Sequence, residues 1–487
     1  MPDRPNVVFI MADQWRGDCL GCAGHPVVET PHLDHLASQG VRFTQAYTAT
    51  PSCIAARAAV FTGMSQRNHG RVGYKDGVPW TYERTLAGEV AAAGYHTQAV
   101  GKMHVHPARN LMGFHNVVLH DGYLHFERKA GKNYDLVDDY MPWLRMKVGG
   151  DADMILHGLN CNSWVARPWP YSEEVHPTTY VTTMGIDFLR RRDPTKPFFL
   201  YLSYHRPHPP LDPPQVYFDQ YIGQQFPPVP MGDWADQQAQ MKGVDGSLGI
   251  GFMGERQLHR ARAAYYAQIT HIDHQIGRLM EYLHEHEVLS NTMFVFTSDH
   301  GELLGDHNLF RKTLPYDGSA RVPFIVTPPA AWKCKRGSTA EAVVELRDIM
   351  PTILEACGAE IPECVDGQSV LPLCRGEATE WRTYLHGEHT AGEKSSHWIT
   401  DGKGKYIWFS QTGREQFFGL ASDPQELEDL VDDSGSQESI QRFRQWLIEE
   451  LTGREAGFTD GTKLVAGRPV KPVLEKATVP PAVRGAM

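Results

Sequence analysis

The sequence predicts an α/β protein with a large, mostly parallel sheet flanked by helices and a small antiparallel α+β subdomain near the C-terminal end. Up to about residue 357, continuous apolar runs alternate with segments of helical periodicity, which is typical of parallel strands covered by helices on both faces. After about residue 380, short strand patterns follow one another without long helices between them. We therefore expect a large domain over residues 1–375 and a small one over 376–487 that ends in an extended tail.

The composition limits the classes of partner and compartment. Hydrophobic residues make up 41% and charged residues 22% of the 487 residues, as in an ordinary globular protein. The net charge of −11 argues against a nucleic-acid partner, which would need many cationic contacts. We find no apolar run long enough to span a membrane and no secretion signal after Met1, so we expect no membrane partner and a cytoplasmic location.

The elements of the large domain are predicted from apolar runs and helix-end signals. Residues 7–12 are apolar throughout, which indicates a buried strand. A helix is predicted next, because Thr30 suits its N-cap, Pro31 suits its first turn and Gly40 suits its end. Further strands are predicted over 41–47, 96–100, 197–203, 293–297 and 322–327, and further helices over 85–93, 178–192, 257–285 and 346–357.

Two long segments lack these patterns. Residues 105–180 are rich in His, Trp, Tyr and Gly, and residues 211–255 are rich in Pro, Gln and Gly. We expect both to be inserted loops that shape a pocket. In the small domain, strands are predicted over 398–401, 406–409 and 416–420, and an amphipathic helix over 437–451.

The segment Thr50–Gly63 is predicted to be a loop that becomes a helix. Pro51 and Ser52 suit the helix entry, which places Cys53 in the first turn, where unpaired backbone N–H groups favour negative charge. Arg57 follows four residues later and shares a helix face with Cys53. Such a pair is typical of a nucleophile or an anion site, although on this segment alone a buried structural cysteine is the commoner interpretation.

Polar side chains follow four of the predicted strands. They are Asp13 and Gln14, Lys102 and His104, His205 and His208, and Asp299 and His300. Because the carboxyl ends of parallel strands meet at one edge of a sheet, we expect these groups to converge near Cys53. The oxygens of Asp13, Gln14 and Asp299 suit a hard divalent cation such as calcium or magnesium, and His300 adds one nitrogen ligand.

The Cys53 segment resembles the signature of the type I sulfatases, Cys-x-(Pro/Ala)-x-Arg followed by a short helix and Thr-Gly, through Cys53, Ala55 and Arg57. Residues 299–312 resemble the second signature region of that family, and Asp423–Leu430 resembles part of its small C-terminal subdomain. The resemblance implies an alkaline phosphatase-like fold and hydrolysis of sulfate esters. It also implies that a sulfatase-maturating enzyme oxidises Cys53 to Cα-formylglycine.

The resemblance further implies a role for each candidate residue. The implied ligands of a calcium ion, or alternatively of magnesium, are Asp13, Gln14, Asp299, His300 and the formylglycine made from Cys53. Lys102 and Lys312 are expected to bind sulfate oxygens and to stabilise the departing ester oxygen. His104 and His208 are candidate acids for the leaving alcohol, because imidazole titrates near neutral pH. Arg57 is expected to favour the alkoxide form of the hydrated formylglycine. This alkoxide attacks the sulfur of the ester, and the second hydroxyl of the hydrate then expels sulfate.

Three residues depart from the commonest form of the signature, Cys-Thr-Pro-Ser-Arg. They are Ile54, Ala55 and Ala56. Alanine in the third place resembles the variants that radical-SAM maturases convert in anaerobic bacteria. We therefore expect preparations from an ordinary host to be incompletely converted at Cys53.

The sequence leaves several functions open. We expect a small sulfated substrate, and first a sulfated mono- or oligosaccharide, because the inserted loops are polar and aromatic. Choline sulfate or an aryl sulfate is the alternative, since Gly101–His104 also resembles choline-sulfatase-like proteins. Phosphonate or phosphate diester hydrolases of the same superfamily resemble this chain at its first strand end, but tend to carry Tyr and Thr where Lys102 and His104 stand. If Cys53 remains a thiol, a sulfated-ligand binder without turnover is the remaining interpretation.

Overall fold

A computed structural model describes residues 4–122, 134–235, 254–377 and 380–475 of the chain. Two sheets and one additional strand pair organise these residues. The strands are Asn6–Asp13 (β1), Val41–Phe43 (β2), Ala46–Tyr47 (β3), His96–Gly101 (β4), Asn116–Leu119 (β5), Phe198–Pro207 (β6), Thr292–Ser298 (β7), Phe324–Thr327 (β8), Ser338–Ala340 (β9), Val344–Glu345 (β10), Leu385–His389 (β11), Ser396–Thr400 (β12), Lys405–Phe409 (β13) and Glu415–Phe418 (β14).

Eight of these strands form the large sheet, in the order β5-β4-β6-β1-β7-β8-β2-β9. The strands β5, β4, β6, β1 and β7 are parallel to their neighbours, whereas β8 runs antiparallel to both β7 and β2. The mostly parallel sheet predicted from the sequence is therefore confirmed. Its order places the carboxyl ends of β4, β6, β1 and β7 side by side.

Helices cover both faces of this sheet. The described residues form the α-helices Pro31–Ser38, Cys53–Thr62, Gln66–His69, Leu86–Ala92, Tyr140–Val148, Pro177–Arg191, Gln215–Ile222, Glu255–Glu285, Asp317–Ala320, Ile349–Cys357, Leu371–Arg375 and, in the last part of the chain and away from this sheet, Gln437–Leu451. In β1, Val8 packs into the core beneath the helix Glu255–Glu285, and its neighbour Phe9 packs into the core beneath the helices at 53–62 and 349–357. Burial on both faces explains why this strand is apolar throughout. Within the described residues, no helix combines the length and the apolar character needed to cross a membrane.

The structure corrects three boundaries predicted from the sequence. The strand expected over 41–47 is divided into two short strands, β2 and β3. The strand β2 pairs with β8 and β9, whereas β3 pairs with β10. The strand expected from Val322 begins at Phe324, because the preceding residue is Pro323, which has no N–H to donate to a ladder. The helix expected from Leu346 begins with a 3₁₀ turn and becomes α-helical only at Ile349.

The two segments expected to be irregular contain short regular elements. The first supplies β5, which extends the large sheet beside β4, and the helix Tyr140–Val148. The second supplies the helix Gln215–Ile222. Residues 123–133 and 236–253 of these segments, and residues 476–487 of the predicted tail, lie outside the described residues.

The small sheet is antiparallel, in the order β11-β12-β13-β14, and the helix Gln437–Leu451 packs against it. This confirms the predicted antiparallel subdomain. The sequence analysis did not predict β11, because the polar and small residues of Leu-His-Gly-Glu-His hide its strand pattern. Residues of this sheet, including Leu385 and Phe418, share a buried cluster with Leu303 and Tyr316 of the preceding part of the chain.

Candidate active site

The candidate site lies at the carboxyl ends of four adjacent parallel strands, as the sequence predicted. Asp13 ends β1, Lys102 follows β4, His208 follows β6 and Asp299 follows β7. The helix that begins at Cys53 points its N-terminal end to the same edge of the sheet, since the Cys53 sulfur lies 3.7 Å from Asp13 Oδ1. The topology thus brings together side chains that are far apart in the sequence, such as Gln14 and Lys312, which are 298 residues apart.

A cluster of potential metal ligands forms the floor of this site. Asp13, Cys53, Asp299 and His300 are all buried, and each offers one ligand atom within 4.8 Å of the others. The Nε2 atom of His300 lies 3.1 Å from the Cys53 sulfur and 3.5 Å from Asp13 Oδ1. The cluster includes four of the five metal ligands predicted from the sequence.

The donors of this cluster fit a divalent cation. Two carboxylates converge on one point, and the Nδ1 atom of His300 bonds to the Gly301 carbonyl at 2.9 Å, which leaves Nε2 with a lone pair for an ion. The fifth predicted ligand, Gln14, is held beside the cluster. Its amide oxygen accepts a hydrogen bond from Lys312 at 2.7 Å, and its amide nitrogen bonds to Glu302. A contact between Gln14 and an ion therefore stays a prediction.

The helix at Cys53 begins and ends as the sequence predicted. Ser52 occupies the N-cap position in an extended conformation, and Gly63 ends the helix in the left-handed conformation, with φ of 66°. Cys53 is thereby fixed in the first turn. Its exposed fraction is 2%, so its sulfur belongs to the floor of the cavity.

Arg57 is buried and forms hydrogen bonds to residues at or near the carboxyl ends of three different strands. Its guanidinium donates to Asp299 Oδ2 at 3.0 Å, to the Lys102 carbonyl at 2.7 Å and to Ser203 Oγ at 2.9 Å. A charge-assisted bond of this kind fixes the Asp299 carboxylate in place. These contacts position a predicted metal ligand, whereas the direct effect of Arg57 on residue 53 stays a prediction.

Lys102 forms a buried ion pair with Asp13. Burial by itself would raise the pKa of the Asp13 carboxyl, but Lys102, His208 and Lys312 lower that pKa well below its ordinary value. Burial would likewise lower the pKa of Lys102, but Asp13 raises it above its ordinary value. Both side chains therefore stay charged at neutral pH.

The two candidate acids differ in their surroundings. Burial lowers the pKa of His208 well below its ordinary value, and Lys312 lowers it further. Burial would also lower the pKa of His104, but Asp76 and Cys53 raise it above the ordinary value. Of the two imidazoles, His104 is thus the one whose surroundings favour the charged form.

These side chains face a common cavity of about 430 Å³. Its lining includes Cys53, Lys102, His104, His205, His208 and Lys312 from the sequence analysis, and also Tyr74, Asp76, Asp121, Asn162, Phe310, Leu314 and Lys394. His205, which the sequence analysis left without a role, therefore belongs to the pocket. His307, in the second signature region, does not line the cavity and packs against Trp234.

Sequence reasoning missed the residues that reach the site from loops. Asp76 and Asp121 follow no strand or helix signal, and their importance emerges only from their bonds to His104. Lys394 comes from the small antiparallel sheet, in the loop between β11 and β12. Glu302, which bonds to Gln14, could have been found from the sequence, because it follows Asp299 by three residues in the second signature region.

A sulfatase family model matches residues 5–359. The chain belongs to the sulfatase family. A second model, that of the C-terminal part of N-sulphoglucosamine sulphohydrolase, matches residues 305–452 of this sulfatase. Both matches agree with the expected family resemblance and with the large sheet followed by the small one.

Known proteins resemble this sulfatase along most of its length. It is 54% identical over 473 residues to an arylsulfatase from Clostridium perfringens, a match that covers 96% of this chain and 98% of that protein. It is 30% identical over 385 residues to an ulvan-active sulfatase from Formosa agariphila, covering 78% of this chain and 66% of that protein. The solved phosphonate monoester hydrolase of Agrobacterium radiobacter superposes with a TM-score of 0.77 at 26% identity, covering 96% of this sulfatase and all of that chain. This sulfatase is a sulfuric ester hydrolase with an alkaline phosphatase-like fold.

Proposed function

We propose that this sulfatase releases inorganic sulfate from a sulfated carbohydrate and that its nucleophile is formylglycine made from Cys53. The observation that carries the proposal is the position of Cys53 at the floor of the cavity. Its sulfur lies 3.1 Å from His300 and 3.7 Å from Asp13, at the N-terminal end of a helix. An oxygen at this position would share the metal ligands and the favourable helix terminus.

The proposed metal is calcium, with magnesium as the alternative. Asp13, Asp299 and His300 would hold it together with residue 53, and the oxygen of Gln14 would complete the set. When bound, the ion supplies positive charge beside the sulfate oxygens. A hydrated formylglycine supplies two hydroxyl groups, one to attack sulfur and one to expel sulfate.

Lys102 and Lys312 complete the anion site on the protein side. Lys102 is 3% exposed, so its charge acts in a site that is largely free of water. Lys312 reaches the same group of side chains through its bond to Gln14. Both lysines can therefore stabilise charge on the sulfate and on the departing oxygen, while His104, whose surroundings favour the charged form, holds a proton for the alcohol.

The cavity supports a saccharide substrate. Its volume of about 430 Å³ suits a small ligand, and its lining supplies hydrogen-bonding groups from Asp76, Asp121 and Asn162. The 30% identical relative named for its activity on ulvan is consistent with such a substrate.

An aryl sulfate is the second candidate. Phe310, Leu314 and the ring of Tyr74 give the same cavity apolar surface that could pack against an aromatic leaving group. The relative at 54% identity is named an arylsulfatase.

The experiment compares conversion of Cys53 with product release. The enzyme is produced with and without a co-expressed maturase, and peptide mass spectrometry gives the converted fraction at Cys53. Sulfate release is measured with a sulfated monosaccharide panel and 4-nitrophenyl sulfate, and 4-nitrophenol release is measured with a 4-nitrophenyl phosphonate monoester. We expect sulfate release to rise in proportion to the converted fraction and to be highest with a sulfated sugar.

Two controls make this test decisive. The Cys53→Ala variant should release no sulfate, because it cannot carry the nucleophile. Full sulfate release from a preparation with an intact thiol would contradict the formylglycine proposal. A preference for 4-nitrophenyl sulfate over every sugar would favour the aryl substrate, and a preference for the phosphonate would contradict both substrate proposals.

A further inference from the structure

The main chain of His104 is fixed independently of its side chain. The backbone N–H groups of Met103 and His104 both donate to Asp121 Oδ1, at 2.7 and 2.9 Å. His104 adopts the left-handed conformation, with φ of 53°, which is uncommon for a residue other than glycine. Residues held in such a conformation are frequent at functional sites, where surrounding contacts maintain them. Only the orientation of the imidazole then remains to be set.

Asp76 contacts one nitrogen of this imidazole. Its Oδ1 lies 3.3 Å from His104 Nε2, and both side chains line the cavity that contains Cys53. The other nitrogen, Nδ1, is buried and has no hydrogen-bond partner in the described structure. A buried polar atom without a partner is costly unless a ligand completes its hydrogen bonding.

We propose that Asp76 is a positioning residue for His104. By accepting the hydrogen of Nε2, the carboxylate fixes the orientation of the ring, so that Nδ1 is the nitrogen that exchanges a proton with the substrate or with the converted residue 53. This inference rests on the proposed function, because it assigns His104 a contact with the reacting groups. The pattern is that of a base or acid oriented by a third group, with Asp76 as the third group.

The ion pair itself contributes little to stability. The side chain of Asp76 is 35% exposed, and partly exposed pairs of this kind stabilise a protein by at most a small amount. Loss of Asp76 should therefore change the rate without unfolding the enzyme, which separates positioning from general support of the fold.

The test is a double-mutant cycle of Asp76→Ala and His104→Ala, measured with the sulfated sugar that the wild-type enzyme hydrolyses fastest and expressed per converted Cys53. We expect Asp76→Ala to lower kcat about 10- to 100-fold with little change in KM, since a misplaced catalytic group can cost this much. In the His104→Ala background the same change should alter kcat by less than about twofold, because residues that act as a unit are not additive. Equal losses in both backgrounds would overturn the proposal.

Two further variants keep the cycle decisive. Asp76→Asn preserves the volume and repeats the cycle if the alanine variant unfolds, and it too must lose its effect when His104 is absent. Lys75→Ala removes an exposed side chain of the same loop and should keep the wild-type kcat. Converted wild-type enzyme that releases no sulfate from any ester would instead contradict the proposed function, so the two failures are distinguishable.

Discussion

At the scale of single residues, Asp299 links the predicted metal ligands to the rest of the site. Its Oδ2 accepts from Arg57 at 3.0 Å, and its Oδ1 accepts from the backbone N–H groups of Gln14 at 3.1 Å and His300 at 3.0 Å. The same Oδ1 lies 3.6 Å from Nε2 of His300. One carboxylate thus fixes an arginine and two neighbouring strand ends while it faces the proposed ion.

We predict that Asp299→Asn loses the bound divalent ion and lowers kcat by at least about 10²-fold, because it removes one negative charge from the ligand set. An asparagine can keep part of the hydrogen bonding, whereas Asp299→Ala would leave Arg57 buried without its anion and cost about 3–5 kcal/mol. The measurements are metal stoichiometry by elemental analysis and sulfate release per converted Cys53.

Asp348 offers a matched control for this prediction. It is another buried aspartate bonded by an arginine, Arg382, but unlike Asp299 it does not belong to the cluster of potential metal ligands. Asp348→Asn should lower stability but retain the ion and kcat. An Asp299→Asn enzyme that still holds one ion per chain would remove Asp299 from the predicted ligands.

Single residues were predictable where a local pattern fixes their position. Cys53 and Arg57 sit four residues apart on one helix, and Asp13 directly follows an apolar run, so their positions follow from the chain itself. Asp76 could not be found in this way. Its partner His104 is 28 residues away, and the contact depends on how two loops meet.

At the scale of elements, one loop of the small sheet extends into the cavity of the large domain. The loop between β11 and β12 is bonded internally, since Ala391 N donates to Ser395 Oγ at 2.9 Å. It is anchored to the large domain, since Thr390 N donates to the Val72 carbonyl at 2.8 Å. Lys394, at the tip of this loop, lines the cavity and has no ion-pair partner among the described residues.

We predict that Lys394→Ala raises KM about 2- to 5-fold for a sulfated sugar that carries a second anionic group, with little change in kcat, because an exposed charge pair contributes up to about 1 kcal/mol. The effect should shrink as salt is added. The measurement is KM for a disulfated and a monosulfated sugar at low and high salt. Lys403→Ala, an exposed lysine on the next hairpin loop, is the matched control, and equal effects of the two variants would contradict the prediction.

Elements were predictable where their own sequence is periodic or apolar. The central strands and the helix at 437–451 fall where the pattern indicated. The antiparallel direction of β8 was not predictable, because a short apolar strand looks the same in either direction. The strand β11 was also missed, since its pairing with β12 stabilises a sequence with little strand character of its own.

At the scale of the whole molecule, the two sheets share a buried interface. Leu303, Leu314 and Tyr316 from the large part pack in one cluster with Trp398 and Phe418 from the small sheet. The two parts therefore share part of their buried core, and the division near residue 375 stays a prediction.

A buried lysine strengthens this interface. Lys405 of β13 is fully buried, and its ammonium group bonds to Asp317 of the large part, to Glu426 at 2.8 Å and to the Pro315 carbonyl at 3.0 Å. A buried charge is tolerated only when it is paired, so Lys405 requires partners from both parts of the chain. Separation of the two parts would break the bond between Lys405 and Asp317 and would expose the shared apolar cluster.

We predict that the chain unfolds in one cooperative transition and that a fragment ending at residue 375 does not fold. The fragment lacks Lys405 and the side chains that cover Leu303 and Tyr316, so it would expose a large apolar patch, which favours aggregation. Scanning calorimetry of the whole enzyme should give a single endotherm, and the fragment should be found in the insoluble fraction. Two separate endotherms together with a soluble, folded fragment would contradict the shared core and would support two independent domains instead.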